Sequence, residues 1–207
     1  MTRVKSSASR TAWLASAGRA ALLAAAVLGV TSCSGGAIGQ DTPVSDGQSF
    51  VSGSYSSTFY AAGSRPAAPE VGGETLTGQH FSLAGYRGRV VVLNFWGSWC
   101  APCRSEAPAL AALSQHFGSD QVSFVGDDVH DSVIAAQAFE RTFGISYPSV
   151  NDQGEQVALA FHSTVPPDAI PSTLLIDRSG RIAARVVGEV SYSGLRALIA
   201  QVLAGKS

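Results

Sequence analysis

The sequence predicts an α/β domain in which a mixed central sheet is flanked by helices and preceded by a short β-hairpin. Two observations lead to this fold class. Residues 90–95 form an apolar run rich in β-branched side chains, which is typical of a strand buried on both faces. Strands and helices then alternate, and a strand pair and one helix follow. This order gives a mixed sheet with helices on both faces.

The predicted domain covers residues 66–207 and opens with the hairpin. Residues 71–83 form two short arms around Thr77-Gly78, a pair that favours a turn. Residues 83–89 are polar and contain glycine, so they are expected to connect the hairpin to the central strand at 90–95.

The first helix of the sheet layer is predicted at residues 104–117, where alanine and leucine recur at the spacing of one helix face and Gly118 follows. A right-handed crossover should make the next strand parallel to the central one. The remaining elements are expected as strands at 122–125 and 147–150, helices at 132–143 and 155–161, an antiparallel pair at 173–176 and 181–187, and a last helix at 191–203.

Two cysteines, Cys100 and Cys103, lie where the central strand ends and the helix begins. The free backbone N–H groups and the dipole of a helix N-terminus favour an anion there. A thiolate is such an anion, and it is the form that attacks a disulfide. The position of the pair therefore predicts a redox dithiol.

A zinc site and a purely structural disulfide are the alternatives for this pair. Zinc needs two further ligands at short spacing, and a disulfide that closes a two-residue loop removes little chain entropy. The other metal-binding side chains of these types are scattered singly, at Cys33, His80, His116, His130 and His162. We therefore expect no metal and no cofactor.

An acidic stretch follows the second buried strand. It contains Asp127, Asp128 and Asp131 with His130 between them. A metal site is conceivable there, but the stretch is expected to be a solvated loop.

The N-terminal residues have the pattern of an export signal. Four basic residues and no acid precede an apolar stretch at 20–30, which is too short to span a membrane. The small residues before Cys33 resemble a bacterial lipobox, so we expect residues 1–32 to be a lipoprotein signal peptide and Cys33 to be lipidated. Simple signal cleavage, which would leave Cys33 as a spare thiol, is the alternative. A lipid holds a protein at the membrane surface without a spanning segment.

Residues 33–65 are rich in serine and glycine and lack a sustained apolar period, so they are predicted to be a flexible tether. Whether the aromatic side chains at 50–60 dock on the domain is left open. All fifteen acidic residues lie after Cys33, whereas four of the fourteen basic residues lie before it. The exported part is therefore acidic, which argues against nucleic-acid binding. We expect a monomer.

The motifs around the dithiol together resemble the thioredoxin superfamily, and within it the TlpA-like branch of membrane-anchored, extracytoplasmic thiol–disulfide oxidoreductases. The branch includes the thioredoxins of cytochrome c maturation. The resemblance covers about residues 66–204 and implies a thioredoxin-like fold. It is carried by the segments VLNFW at 92–96, WCAPC at 99–103, Glu106, Pro108, IPST at 170–173 and LLID at 174–177 with Gly180.

The resemblance implies roles for six residues. Cys100, exposed at the helix start, would form the mixed disulfide with a partner protein, and Cys103 would resolve it. Glu106 would carry the proton of Cys103, although an acid in a first helical turn is also favoured by the dipole alone. The other expected roles are a cis peptide bond at Pro171, pairing of the Ile170 backbone with an extended partner, and shielding of the site by Trp99.

The expected function is thiol–disulfide exchange with exported proteins at the outer face of the cell membrane. The resemblance suggests that the protein reduces apocytochrome c. A membrane thiol-redox partner would then return the dithiol to its reduced form. An oxidant in the folding of exported proteins is the alternative. A peroxidase would need a lone cysteine in a Pro-x-x-x-Thr-x-x-Cys setting, which is missing. A copper metallochaperone would need a wider cysteine spacing and a distant histidine.

Overall fold

The computed structural model describes residues 48–52, 55–118 and 120–205. The predicted signal peptide and Cys33 lie outside these residues. All described residues belong to one unit, Thr42–Ser207. The strands are β1 (Gln48–Ser52), β2 (Tyr55–Phe59), β3 (Gly72–Glu74), β4 (His80–Ser82), β5 (Val90–Trp96), β6 (Val122–Val129), β7 (Ser149–Asp152), β8 (Ser172–Ile176) and β9 (Ile182–Val187). The helices are α1 (Ala101–Phe117), α2 (Val133–Phe143), α3 (Gln156–Ala160) and α4 (Tyr192–Leu203), with a 3-10 turn at Leu83–Tyr86.

Seven strands form one mixed sheet in the order β1-β2-β9-β8-β5-β6-β7. β5 pairs in parallel with β6 and antiparallel with β8. Every residue of β5 and β6 is buried, because helices cover both faces of these central strands. The predicted α/β architecture with a mixed central sheet and an N-terminal hairpin, here β3 and β4, is confirmed.

Two apolar cores lie on opposite faces of the sheet because successive side chains of a strand point to opposite sides. On one face, Val92 of β5 packs with Leu110 of α1 and Ile199 of α4. On the other face, Leu93 of β5 packs with Phe161, which follows α3. The two cores hold the central strand and its helices in a fixed relation.

The predicted tether is wrong for residues 48–52 and 55–59. β1 and β2 form an antiparallel hairpin, and β2 pairs with the open edge of β9. The folded domain therefore extends at least to Gln48 and does not begin at residue 66. Serines and threonines mask the strand pattern of this stretch, although the backbone of β2 pairs with β9 and so covers a sheet edge.

β6 is longer than predicted and continues to Val129. Its last residues pair with both neighbours, since Asp127 lies beside Phe95 of β5 and Val150 of β7. β7 begins at Ser149, two residues later than expected. In the described ranges, no helix has the length and apolar character that crossing a membrane requires.

Candidate active site

The dithiol lies at the N-terminus of α1. Cys100 is the N-cap residue, and the helix starts at the next position with Pro102 in its first turn. Cys100 and Cys103 form a disulfide. The backbone N–H of Cys103 donates to the Cys100 sulfur at 3.2 Å. A helix N-terminus thus offers its donor to the sulfur that the sequence predicts to be nucleophilic.

Both cysteines are buried, Cys100 at 4% and Cys103 at 1% exposure. The prediction that Cys100 is exposed is therefore wrong for the disulfide form. Its side chain packs in an apolar cluster with Leu76, Trp96 and Phe139, which we call the dithiol cluster.

Trp99, directly before the dithiol, is 58% exposed. A Cβ atom at Gly97 would lie 2.6 Å from Trp99 Nε1, so the indole folds back over a position that only glycine leaves open. The large exposed ring is not part of the core.

Glu106 is 1% exposed and lies one helical turn after Cys103. Its Oε1 accepts from Asn94 Nδ2 at 2.8 Å, and its Oε2 accepts from the backbone N–H of Val190 at 2.9 Å. Burial raises the pKa of Glu106 from 4.5 to about 7, and the charge of Glu189 adds to this, against the two hydrogen bonds. A group with this pKa takes up and releases protons near neutral pH.

Asn94, on the central strand β5, holds the Glu106 carboxyl group in place. Its amide also donates to Thr173 Oγ1 at 3.1 Å on β8. The sequence shows that Asn94 cannot titrate, but its contact with Glu106 was not predicted. No local pattern could reveal it, because Glu106, Asn94 and Val190 belong to three separate parts of the chain.

The peptide bond between Ile170 and Pro171 is cis, as predicted. Ile170 packs against the dithiol cluster. Its backbone N–H donates to the carbonyl of Asp168 at 3.0 Å, and the Pro171 carbonyl accepts from Gly188 at 2.9 Å. The loop that precedes β8 is thus placed beside the two sulfurs.

Asp127 and Asp128 are fully buried in β6, so the predicted solvated loop is wrong at these positions. Among the described residues, neither carboxyl oxygen of Asp128 has a hydrogen-bond partner. Burial raises the pKa of Asp127 well above its usual value, with Asp152 adding to it, and raises that of Asp128 to about 8, with Asp131 adding. Among the described residues, no three His, Cys, Asp or Glu side chains lie together as metal ligands would.

A clamp on Ser98 was missed from the sequence. Asp131 Oδ2 accepts from the Ser98 backbone N–H at 2.7 Å, and Arg104 Nη1 donates to the Ser98 carbonyl at 3.4 Å. The Arg104 guanidinium lies 5.3 Å from the ring centroid of Phe143 on α2. The parallel pairing of β5 and β6 was the available signal, because it brings the segments after both strands to one sheet edge.

The geometry therefore provides a cysteine pair at a helix N-terminus, a buried proton carrier one turn away, an exposed indole and a neighbouring cis-proline loop. A dithiol in this setting can pass two electrons to or from another disulfide. The side chains that the sequence predicts for the site are brought together, except that Cys33 lies outside the described residues.

Known proteins resemble the chain over this domain. The AhpC/TSA family model matches residues 65–185. The thiol–disulfide oxidoreductase ResA of Bacillus subtilis is 36% identical over 126 residues, which are 61% of this chain and 68% of that protein.

Two solved structures share the fold. A DsbF homologue from Corynebacterium diphtheriae superposes with a TM-score of 0.65 at 39% identity, over 70% of this chain and 92% of that one. A secreted thiol–disulfide isomerase from Corynebacterium glutamicum gives a TM-score of 0.67 at 31% identity, over 72% and 92%.

Proposed function

Because the chain belongs to the AhpC/TSA family and is a thiol–disulfide oxidoreductase like its relatives, we propose that it exchanges disulfides with exported proteins while anchored at the outer face of the cell membrane. The observation that carries the exchange is the Cys103 N–H bond to the Cys100 sulfur at the start of α1. This donor stabilises a thiolate at Cys100 when the pair is reduced.

In the reducing direction, the Cys100 thiolate attacks one sulfur of the partner disulfide, and the other partner sulfur leaves as a thiolate. Cys103 then loses its proton and attacks Cys100, which forms the internal disulfide and releases the second partner thiol. The two cysteines lose two electrons, and the partner disulfide gains them. Glu106, buried one turn after Cys103 with a pKa of about 7, accepts the Cys103 proton.

The partner is held by Trp99 and by the loop at Ile170. The exposed Trp99 ring offers a flat apolar contact beside the sulfurs. The N–H of Ile170 is already bonded to Asp168, so the carbonyl oxygen of Ile170 is the group that pairs with an extended partner strand.

The trapping experiment uses the full chain in a membrane extract. Cys103→Ser should accumulate partners as mixed disulfides on Cys100, because the resolving thiol is missing. Cys100→Ser is the matched control, since it keeps one thiol but loses the attacking sulfur. If both variants capture the same amount of protein, or Cys103→Ser captures none, the two-step exchange is wrong.

Export and anchoring are supported by the basic and apolar N-terminal residues, by the lipobox-like segment before Cys33 and by the secreted relative. Lipidation of Cys33 predicts that the chain incorporates labelled fatty acid and sediments with membranes. Cys33→Ser should abolish both, whereas Ser32→Ala should not. An unlabelled wild-type chain in the soluble exported fraction would overturn the anchor.

The electron direction that we propose is reduction, with apocytochrome c among the partners and a membrane thiol-redox protein as the electron source. The similarity to ResA and the resemblance to the cytochrome c maturation thioredoxins support it. The similarity to a DsbF homologue supports the oxidant as the second candidate. The reduction potential separates them. A value near that of thioredoxin, about −270 mV, supports the reductant, and one near that of DsbA, about −120 mV, supports the oxidant.

A further inference from the structure

An apolar cleft opens between α3 and the loop that leads to Pro171. Its walls include Phe95 of β5, Ala158 and Leu159 of α3, Pro166 and Ile170. Its volume is about 30 Å³. A cavity that admits benzene is roughly five times larger, so this cleft accepts the end of one aliphatic side chain and excludes an aromatic ring.

The walls of the cleft are fixed before any partner binds. Asp152 accepts from three successive backbone N–H groups at the start of α3, at 2.7, 2.9 and 3.0 Å. On the other side, Val165 donates to the Phe161 carbonyl at 2.8 Å and Ala169 to the Pro166 carbonyl at 3.2 Å. A preformed site loses little entropy when it is filled.

Ile170 connects the cleft to the dithiol, because it lines the cleft and also packs against the cluster that contains both cysteines. A partner strand that pairs with the Ile170 carbonyl and presents its cysteine to Cys100 therefore passes the mouth of the cleft. In an extended strand, side chains two residues apart lie on one face, about 7 Å from each other.

Two carboxylates and one histidine, His162, line the cleft. Asp168 is exposed, and Glu155 pairs with His130 at 2.5 Å. Asp131 adds a carboxylate at the dithiol loop. The nearby cation Arg104 is already placed over Phe143 and bonded to the Ser98 carbonyl. A positively charged partner segment is complementary to this surface.

We propose that the cleft is a specificity subsite for the partner protein. It takes the end of a leucine or valine side chain two residues from the reacting cysteine, in a segment that carries a lysine or arginine beside that side chain. The inference rests on the proposed disulfide exchange and adds which segments are exchanged fastest.

The test uses the reduced full chain and synthetic peptides whose single cysteine is linked to glutathione by a disulfide. The dithiol supplies two electrons, and the products are the peptide thiol, glutathione and the Cys100–Cys103 disulfide. Four peptides combine leucine or serine at both positions two residues from the cysteine with lysine or glutamate beside them. Chromatography of the products gives the second-order rate constant of each.

The wild-type chain should react about tenfold faster with the leucine–lysine peptide than with the serine–lysine peptide, as expected for one apolar side chain in a pocket. Leu159→Ser should reduce this preference at least threefold. Ile134→Ser is the matched control, because Ile134 is 80% exposed on α2 and lies outside the cleft. Equal rates for the leucine and serine peptides, or the same loss of preference in the control, would overturn the subsite.

The charge of the rim is tested by Asp168→Asn, since asparagine tolerates the left-handed backbone of this residue, with φ of 61°. The preference for lysine over glutamate should fall in this variant and persist in Glu70→Gln, because Glu70 is exposed and does not line the cleft. A preference that is equal in both variants contradicts the role of Asp168. Failure of the wild-type chain to reduce either insulin or glutathione disulfide would instead refute the proposed function.

Discussion

The amide of Asn94 donates a hydrogen bond of 2.8 Å to Glu106 Oε1, and both side chains are almost fully buried. A neutral amide thus orients the acid without supplying the positive charge that would keep it ionised. Burial therefore prevails, and the pKa of Glu106 is about 7. The second oxygen is bonded to the backbone of Val190, which ties α1 to the segment before α4.

Glu106→Gln should change how stability depends on pH. The folded state keeps a proton on Glu106 up to about pH 7, whereas the unfolded state loses it near pH 4.5. Ionisation of Glu106 therefore leaves stability unaffected below pH 4.5 and lowers it as the pH rises toward 7, by about 3 kcal/mol at most. The glutamine variant lacks this contribution. Urea unfolding from pH 4.5 to 8 measures the difference, and parallel curves for the two proteins would contradict it.

Asn94→Asp should raise the pKa at which the exchange rate changes. The substitution places a second carboxyl at hydrogen-bond distance from Glu106, and two such groups cannot both ionise easily. The inflection in the pH profile of dithiol oxidation by glutathione disulfide should move upward by about one unit or more. Asn94→Ser removes the amide without adding an acid and serves as the control. An identical profile in Asn94→Asp would show that Glu106 does not carry the proton.

Asp128→Asn should stabilise the fold. Asp128 is buried and has no hydrogen-bond partner in the part of the chain that the structure describes, and its pKa is raised from 3.8 to about 8 by burial and by Asp131. The folded state therefore loses stability relative to the unfolded state as the pH rises from 3.8 to 8. At pH 8 the variant should gain roughly 2 to 4 kcal/mol in free energy of unfolding. At pH 3.5 the two proteins should be nearly equal, and a constant difference across this range would argue against an ionisation effect.

Asp131→Ala should loosen the segment before Cys100, because the Ser98 N–H loses its acceptor at 2.7 Å. We expect a cost of about 1 to 2 kcal/mol in free energy of unfolding and a several-fold slower exchange with protein disulfides. Asp131→Asn keeps an oxygen acceptor without the charge and should retain most of the rate. If the asparagine variant were as slow as the alanine variant, the charge and not the hydrogen bond would be responsible.

Gly126→Ala should disturb the packing beneath the dithiol. A Cβ atom at Gly126 would lie 2.6 Å from Nε1 of Trp96, whose ring stacks on Phe139 at 4.4 Å between centroids. Overpacking of this kind costs about 1 to 3 kcal/mol. Gly85→Ala is the matched control, since nothing lies within 4 Å of its Cβ position. Thermal unfolding of both variants measures the contrast, and equal midpoints would contradict it.

The dithiol could be predicted from the sequence because its determinants are contiguous. The strand, the cysteines and the helix follow one another within residues 90–117, and a buried strand before an amphipathic helix is a local pattern. The cis bond at Pro171 followed from resemblance and not from spacing. Both predictions hold in the structure.

The features that the sequence did not predict depend on contacts between residues that are distant in the sequence. Two adjacent aspartates normally indicate a solvated loop, because charged side chains are seldom fully buried. Asp127 and Asp128 are nevertheless buried in β6. β1 and β2 lack a clean alternation of apolar residues. β2 is a strand because β9 offers it an edge, and β1 in turn pairs with β2. In both cases the structure is set by pairing with strands that are distant in the sequence. The residues next to each segment in the sequence do not reveal this pairing.

The hairpin of β1 and β2 also determines the direction in which the first strand runs in the sheet. Four successive antiparallel pairings separate β1 from β5, so the two strands run in the same direction. Gln48 therefore lies toward the amino end of β5, whereas Cys100 follows its carboxyl end. A membrane anchor ahead of Gln48, as proposed for Cys33, would therefore connect to the domain at the end of the sheet opposite the dithiol.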